Sequence, residues 1–261
     1  MPEGHTIHRL ARLHHRQFRG QEIAVSSPQG RFSTGAALVD GRVLRKAEAH
    51  GKHLFHHYGS DAVVHVHLGL YGRFENHVSA EPAEPRGAVR MRMVGERCWT
   101  DLRGAITCEV LTPDEVDTVL ARLGPDPLRP RTDPEPAWTR VSRSKVSVGA
   151  LLMDQKVLAG VGNVYRAEVL FRQGISPHRS GRDLDRAEWD GLWFDLVELM
   201  KVGVRLGRIV TLRPDDRARR GERASYVYRR AGLPCRVCGT PVVIEEMVGR
   251  NLFYCPTCQP G

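Results

Sequence analysis

Apolar positions recur at helical spacing near the start of the chain and as short runs after it. Residues 5–18 predict one amphipathic helix, because side chains three or four positions apart would share a face. Those side chains are Ile7, Leu10, Ala11, His14 and Phe18. From about residue 20 to residue 115, runs such as 62–68 and 90–94 are bounded by turn-forming residues. This pattern predicts a mainly antiparallel β domain behind the helix.

The second half of the chain has helical periodicity. Three helices are predicted over 146–158, 164–173 and 187–204, and the last would carry tryptophan and leucine along one face. The proline-rich stretch 124–137 has few apolar residues and predicts an interdomain linker. The segment 207–230, rich in arginine and poor in apolar side chains, predicts a loop.

Four cysteines are concentrated at the C-terminal end. Cys235 and Cys238 form one C-x-x-C pair, and 16 residues separate it from the second pair, Cys255 and Cys258. Each pair supplies two thiolates from a tight turn, as a tetrahedral zinc ion requires. The segments between the pairs predict the two strands of a hairpin, and hence a zinc ribbon. Its single Zn²⁺ would be structural, because four thiolates leave no open coordination position; a redox pair is the alternative.

A glycine-rich junction separates the first two predicted helices of this half. Its sequence, MDQKVLAGVGNVYRAEVLFRQGISP over 153–177, contains Gly160 and Gly162, which permit sharp turns. Asn163 then lies where the next helix begins. The N–H groups and positive dipole end of such a helix attract a phosphate. For an isolated G-x-G-N motif, however, capping the helix is the favoured role of Asn163.

The charge balance favours an anionic partner. The chain has 39 Lys and Arg against 30 Asp and Glu, a net charge of +9 and a pI near 9.6, and basic domains attract phosphate backbones. The sequence contains no run of 18 apolar residues, so no membrane span is predicted. The basic start is not typical of a secretory signal. We therefore expect a cytoplasmic protein, in which Cys98 and Cys108 are small buried side chains.

The zinc ribbon and the glycine-rich junction together resemble the zinc finger and helix–two-turns–helix of the formamidopyrimidine-DNA glycosylase and endonuclease VIII family. The start Met1-Pro2-Glu3-Gly4 is similar to the start of that family as well. The resemblance implies an α+β fold with an N-terminal antiparallel β-sandwich and its N-terminal helix. The implied divisions are a catalytic domain over 1–123, a linker over 124–140, a helical domain over 141–230 and a zinc finger over 231–261.

The same resemblance implies a base-excision-repair enzyme, namely a DNA glycosylase with abasic-site lyase activity that ends in β- or δ-elimination. Its partner would be damaged DNA, with no membrane and no small-molecule cofactor. We expect the protein to be a monomer that is associated with the nucleoid in a bacterial cytoplasm.

The resemblance assigns the chemistry to the first residues. Removal of Met1 would leave the secondary amine of Pro2 to attack the sugar and form an iminium. An α-amino group titrates about two to three units below a lysine amine, so more of it is unprotonated near neutral pH. Glu3 would be the general acid and base, and Lys52 of AHGKHLFHH would present a cation. Thr6 stands where family members usually carry a second glutamate.

The DNA contacts follow from the same resemblance. Asn163 and Arg250 would bind phosphate, and Leu70 and Tyr71 of HLGLYGRF would fill the gap left by the flipped base. Arg103 lies in Asp-Leu-Arg-Gly-Ala, where the purine-directed branch has D-P-R-R-F-G. The consecutive Leu-Tyr and the missing Phe favour the endonuclease VIII branch and oxidised pyrimidines.

Two alternatives remain open at the level of sequence. One is a formamidopyrimidine or 8-oxoguanine glycosylase of the same family. The other is a non-catalytic zinc-ribbon protein that only binds DNA. Eleven of the 12 histidines precede residue 78, but no acidic or cysteine ligand accompanies them at regular spacing, so a second metal site is not expected.

Overall fold

The predicted N-terminal helix and β domain are both present in the computed structural model, which describes residues 2–216 and 224–261. The chain divides into two units, Met1–Arg122 and Leu123–Gly261. The part of the predicted arginine-rich loop over 217–223 lies outside the described residues. Among the described helices, none has the length and apolar character needed to cross a membrane.

From residue 2 onwards, the first unit contains three helices and eight strands. In chain order they are α1 (Gly4–Phe18), β1 (Glu22–Ser26), α2 (Ser33–Val39), β2 (Arg42–His50), β3 (His53–Tyr58), β4 (Ala62–His67), β5 (Arg73–His77), β6 (Met91–Val94), β7 (Trp99–Arg103), β8 (Thr107–Leu111) and α3 (Pro113–Leu120).

The strands form one antiparallel hydrogen-bonded series in the order β5-β7-β6-β1-β2-β3-β4-β8. β1 belongs to both halves of this series, because Ile23 pairs with β2 whereas Ala24 pairs with β6. Apolar side chains from both halves, such as Met91 and Val66, share one core with α1. The predicted fold class, α+β with an N-terminal antiparallel β domain, is confirmed. Cys98 and Cys108 are buried, as predicted.

The direction of α1 brings the start of the chain to one end of the sheet. His15 of α1 accepts a hydrogen bond from the Ala47 N–H of β2 at 3.3 Å, and Gly20, just after α1, donates to the Leu44 carbonyl. The helix therefore runs antiparallel to β2. The 12 residues back to Glu3 span about 18 Å of helix, and the five residues on to Lys52 span about 17 Å of strand. Both routes end at the tip of the β2–β3 hairpin.

The second unit contains four α-helices, one short 3₁₀ helix (Gly181–Asp183) and a two-stranded sheet within its described residues. They are α4 (Glu135–Val141), α5 (Val148–Leu151), α6 (Asn163–Arg172), α7 (Arg186–Leu206), β9 (Val243–Met247) and β10 (Arg250–Tyr254). The helices predicted over 164–173 and 187–204 are confirmed as α6 and α7. α7 begins at a capping box formed by Asp185 and Glu188 and ends at Gly207, whose φ is 70°.

The helix predicted over 146–158 is wrong, because only the four residues of α5 are helical there. The side chains of Asp154 and Gln155 compete with helical hydrogen bonding. The Asp154 carboxylate accepts from the Lys156 N–H at 2.9 Å. Gln155 binds the Gly160 N–H and the Val161 carbonyl through its amide group. These contacts hold a series of turns between α5 and α6.

The proline-rich stretch packs within the second unit. Asp126 and Leu128 are buried, and the Ala159 N–H donates to the Pro125 carbonyl at 3.0 Å. α4 begins inside the stretch, after Pro134. The predicted limits of linker and domains stay predictions, although the two units meet between Arg122 and Leu123.

Two buried histidines join α1 to the sheet. His14 Nδ1 lies 2.9 Å from His56 Nε2 of β3, and His14 Nε2 lies 2.8 Å from Asn76 Oδ1 of β5. Both rings are fully buried. Burial lowers the pKa of His14 to about 4, although its hydrogen bond to Asn76 opposes the shift, and burial places the pKa of His56 well below its ordinary value. The folded state therefore requires both rings to be neutral.

We predict that the first unit loses stability as the pH falls from about 6.5 towards 4. In the unfolded chain His14 takes up a proton through its ordinary pKa of 6.5, whereas in the folded chain it does so only near 4. Its contribution is therefore complete above pH 6.5, and lowering the pH from 7.5 to 5 should remove about 2 kcal/mol through this one ring. Urea unfolding at the two pH values, with hydrogen exchange of β3 and β4 peptides, measures the loss.

The control for this prediction is His77→Gln, since His77 belongs to the same unit and is exposed, with its ring stacked on Trp99. His14→Leu should flatten the dependence on pH, and His77→Gln should leave it unchanged. An equal slope in wild type and His14→Leu would contradict the assignment.

Candidate active site and anion-binding site

The first residues form a buried acidic start to α1. Pro2 is half-buried and Glu3 is fully buried. Glu3 is the residue before the helix, yet its side chain makes no capping hydrogen bond, so its burial is not explained by an ordinary helix start. Burial of a carboxylate is costly unless a specific contact or function retains it. Thr6 lies in the first turn, where its hydroxyl oxygen is 3.2 Å from His5 Nε2.

Lys52 lies in the two-residue turn between β2 and β3. His50 and His53 are paired across the hairpin, and Gly51 has a φ of 57°, as the first central residue of a type II′ turn requires. Lys52 is half-buried instead of projecting into solvent. Because α1 runs antiparallel to β2, this turn lies at the end of the unit that Pro2 and Glu3 reach.

The environment of Lys52 is rich in histidines that remain neutral. Burial, followed by the nearby charges of His65, His67, His50 and Lys52, lowers the pKa of His53 to about 3. Burial also lowers the pKa of His67, with Lys52 as the next contribution. The Lys52 ammonium group therefore lies close to His53 and His67, both of which are neutral near pH 7.

The predicted wedge forms a tight turn after β4. Tyr71 is 83% exposed and Leu70 is half-buried, while the Gly72 N–H donates to the Leu68 carbonyl at 3.0 Å. Ile106, which the sequence analysis did not select, is 67% exposed and lies against Gly69. An apolar residue directly after the Gly104-Ala105 turn was the signal for it. The two turns together present exposed apolar side chains at one end of the unit.

Arg103 lies in an intramolecular ion-pair network. Its Nε donates to Glu75 Oε2 at 2.8 Å, and its other nitrogens contact Asp101 and the Arg86 carbonyl. Only 16% of its side chain is exposed, and its hydrogen bond lowers the pKa of Glu75. The donors of Arg103 are therefore bound to β5, to β7 and to the loop between β5 and β6. A contact to DNA by Arg103 stays a prediction.

Asn163 is the first residue of α6 and does not cap it. Gly162 is the cap residue and is extended, whereas Gly160 alone has a left-handed φ of 93°. The Asn163 side-chain amide donates to the Asn251 carbonyl at 2.8 Å, and its oxygen accepts from Arg166. Asn251 directly follows Arg250, which is exposed. The structure thus brings together the two predicted phosphate ligands, which are 87 residues apart in sequence.

The four cysteines converge as predicted, on a ribbon whose strands are β9 and β10. Their sulfur atoms lie within 4.8 Å of one another. Cys235 and Cys258 are 3.8 Å apart, and Cys238 and Cys255 are 3.4 Å apart. Zinc–sulfur bonds of about 2.3 Å in a tetrahedron separate the sulfur atoms by about 3.8 Å. The donor set and its spacing therefore fit one structural Zn²⁺.

A buried glutamate of α6 anchors the segment that leads into the ribbon. Glu168 is fully buried and accepts backbone hydrogen bonds from Tyr226, Val227 and Tyr228 at 2.7 to 2.8 Å. The Thr211 hydroxyl also donates to it. This carboxylate, which the sequence analysis missed, fixes the chain on both sides of the undescribed residues against α6.

Comparison with known proteins matches three family models. Residues 1–108 match the formamidopyrimidine-DNA glycosylase N-terminal domain, residues 123–214 match the H2TH domain of formamidopyrimidine-DNA glycosylase, and residues 232–261 match a zinc finger found in FPG and IleRS. The matched residues include the N-terminal start, the glycine-rich junction and all four cysteines.

Whole-chain relatives agree with these matches. Endonuclease 8 1 of Mycobacterium tuberculosis is 55% identical, covering 99% of this chain and 100% of the relative. Formamidopyrimidine-DNA glycosylase of Geobacillus kaustophilus is 36% identical, covering 86% of this chain and 84% of the relative. The solved structure of Lactococcus lactis Fpg with N7-benzyl-Fapy-dG DNA has a TM-score of 0.83 at 21% identity, covering all of both chains, and so shares the fold.

We predict that the purified chain holds one zinc ion and that Cys238→Ser loses it. The ribbon has only a small apolar cluster around Val242 and Phe253, so its folding should depend on the metal. Metal analysis should fall well below one zinc per chain, and hydrogen exchange of β9 and β10 should accelerate. Cys98→Ser is the matched control, since Cys98 lies outside the cluster. One full zinc in Cys238→Ser would contradict the prediction.

Proposed function

The chain belongs to the formamidopyrimidine-DNA glycosylase and endonuclease VIII family, and on that premise we propose that it excises oxidised pyrimidines from DNA and cleaves the resulting abasic strand through an iminium on Pro2. It is a DNA glycosylase of the endonuclease 8-like type. The lyase step, the damaged base and the role of each residue are the proposal. The 55% identity with endonuclease 8 1 over nearly the whole chain supports them.

The observation that carries the proposal is the fully buried Glu3 directly after Pro2. It lies at the end of α1 that reaches the Lys52 turn. Amine-catalysed base removal requires a nucleophile and a general acid, and a cation can stabilise the charge that develops during the reaction. They come from the chain start and one hairpin.

The reaction begins with the Pro2 amine, once Met1 has been removed. Its lone pair bonds to C1′ of the sugar as the C1′–base bond breaks, and the base leaves with the electron pair and gains a proton. The Pro2 nitrogen then loses its own proton, and a proton transferred from Glu3 to the ring oxygen opens the sugar as the nitrogen lone pair forms an iminium with C1′. The iminium acidifies the C2′ proton, whose loss expels the 3′ phosphate.

Glu3 and Lys52 take the supporting roles. A protonated Glu3 donates to the ring oxygen, and its carboxylate then accepts a proton in the elimination. The half-buried Lys52 places a positive charge where it binds the lesion phosphate or assists protonation of the leaving base.

The second unit supplies the grip on the DNA backbone. Asn163 and the exposed Arg250 are joined through Asn251, which supports their joint binding of one phosphate, aided by the positive end of α6. In the first unit, Tyr71 with its large exposed ring is suited to enter the base stack beside Leu70. Arg103 is bound to Glu75, and this ion pair holds the following turn, at Gly104 and Ala105, in place. A direct contact from Arg103 to DNA is also part of the proposal.

Oxidised pyrimidines are the proposed substrates because of the two turns. Leu70 and Tyr71 supply consecutive large side chains from one turn, and the turn after Arg103 carries Gly104 and Ala105 in place of larger residues. The alternative substrate, 8-oxoguanine or a formamidopyrimidine, is favoured by the 36% identity with the Geobacillus glycosylase. The two possibilities differ in which base the same pocket accepts.

We predict that borohydride traps a covalent adduct between the mature chain and DNA carrying an abasic site. An extension ahead of Pro2 converts its nitrogen into an amide and should abolish the adduct, since an amide nitrogen is not nucleophilic. Denaturing electrophoresis of the trapped complex measures it, and peptide mapping locates the sugar on Pro2. Trapping at full yield by the extended chain would exclude Pro2 as the nucleophile.

Glu3→Gln separates the two steps in the same assay. Excision of a damaged base should slow by about 100-fold, the scale of one lost general acid. A preformed abasic site, which opens to its aldehyde unaided, should still be trapped. Glu22→Gln, in an exposed position of β1, is the control. DNA binding without any adduct in the wild type would instead favour a non-catalytic binding protein.

We predict that kcat/KM for a duplex carrying thymine glycol exceeds that for 8-oxoguanine by at least about tenfold, the discrimination that differences in pocket contacts readily provide. Competition between otherwise identical duplexes that carry the two lesions measures the ratio of kcat/KM. A preference for 8-oxoguanine would establish the alternative substrate and leave the proposed amine chemistry intact.

A further inference from the structure

A line of polar side chains crosses one face of the sheet from β8 to the tip of the β2–β3 hairpin. His65 of β4 is paired directly with Glu109 of β8. His53 of β3 is paired with His67 and so lies diagonally from His65. Because side chains alternate along a strand, His53, His65 and Glu109 project from the same face.

These side chains are joined by two hydrogen bonds. His65 Nδ1 lies 3.0 Å from Glu109 Oε1, and His65 Nε2 lies 2.8 Å from His53 Nδ1. The two imidazole rings are stacked, with centroids 5.1 Å apart and planes at 17°. Phe55 stacks on His65 at 5.0 Å, so packing restricts the orientation of both rings. The line is thus a continuous, ordered chain of hydrogen-bonding groups.

The carboxylate determines the position of each proton in this chain. Burial lowers the pKa of His53 and of His65, so each ring is neutral near pH 7 and carries one N–H. An ionised Glu109 can only accept, so the His65 proton is on Nδ1. His65 Nε2 is then an acceptor, and His53 must donate from its own Nδ1. His53 Nε2 is therefore left without a proton.

The unprotonated nitrogen belongs to a residue adjacent to Lys52. The charged and titratable groups around His53 are His50 across the hairpin, Lys52 in the turn, and His65 and His67 of β4. His67 packs edge-on against the His53 ring at 5.0 Å. Glu109, at the far end of the chain, is half exposed to solvent. Lys52 is the only group of this set that carries a permanent positive charge near neutral pH.

We propose that Glu109 and His65 are positioning residues that fix His53 in the Nδ1–H tautomer, so that His53 Nε2 accepts a hydrogen bond from the Lys52 ammonium in the DNA-bound enzyme. The proposal rests on the lyase function proposed above. In the opposite tautomer His53 would direct an N–H at the ammonium group and repel it. The relay therefore orients the cation without adding a second charge to the site.

Nuclear magnetic resonance of ¹⁵N-histidine-labelled full-length chain tests the proton positions directly. In the wild type, His53 and His65 should both be protonated on Nδ1 and not on Nε2. Glu109→Leu should shift both rings towards the Nε2–H tautomer, and Glu109→Asp should retain the wild-type pattern. Protonation of wild-type His53 on Nε2 would overturn the inference.

Strand cleavage at a preformed abasic site tests the consequence. Glu109→Leu and His65→Phe, which retains a ring against Phe55, should slow the single-turnover rate by about tenfold, the low end of the range for loss of a group that orients a functional histidine. The Kd for a duplex with an uncleavable abasic analogue should change less than the rate does. Glu109→Asp should restore most of the rate, which loss of folding would not allow.

Glu22→Leu is the control, because Glu22 is exposed on β1, a strand that pairs with β2 and β6 and not with the strands that carry the relay. It should leave the rate unchanged. A wild-type cleavage rate in Glu109→Leu, with its tautomers altered, would overturn the relay alone. Absence of any borohydride adduct from the wild type would overturn the proposed lyase function and the relay with it.

Discussion

The contact between the buried rings of His14 and His56 determines where the first residues of the chain lie. Glu3 is 11 residues before His14 on one continuous helix, so its position follows from how α1 is fixed on the sheet. A shift of α1 by one residue would rotate Glu3 by about 100° and direct it away from the hairpin. Because Asn76 binds the other side of His14, three elements define this register. The candidate active site therefore depends on a polar contact in the core, remote from the reacting atoms.

In the second unit, two separate sets of contacts determine where Arg250 lies relative to Asn163. The four cysteines determine the shape of the ribbon itself, whereas Glu168 determines where the chain leading into it lies on α6. Neither set of contacts alone places Arg250 beside Asn163. Without Glu168 the ribbon would still bind its metal, but its position on α6 would no longer be fixed. Without zinc, Glu168 would hold a segment that leads into an unfolded ribbon. The hydrogen bond from Asn163 to Asn251 is where the two constraints meet.

Local signals allowed much of this structure to be predicted from sequence. The N-terminal helix, the ribbon strands and the cysteine cluster follow from periodicity or from spacing within about 25 residues. The error over 146–158 arose because Asp154 and Gln155 bind nearby backbone groups, which an apolar pattern does not reveal. The ion pair of Arg103 with Glu75 and the contact of His65 with Glu109 join residues on different strands, so only the strand order discloses them.

The concentration of histidine around Lys52 suits amine chemistry better than carboxylates would. A further ionised carboxylate near the Pro2 amine, in addition to Glu3, would stabilise the protonated amine and leave less of the free base that the proposed chemistry needs. An imidazolium would repel the Lys52 ammonium. Its positive charge would also add nothing to the effect that the charge of Lys52 already has on the Pro2 amine. A neutral imidazole offers an acceptor nitrogen without either penalty, and burial keeps His53 neutral near pH 7. Glu109 lies at the solvent-exposed end of the relay. Its charge can therefore orient the two rings, while the side chains of His65 and His53 separate it from Lys52.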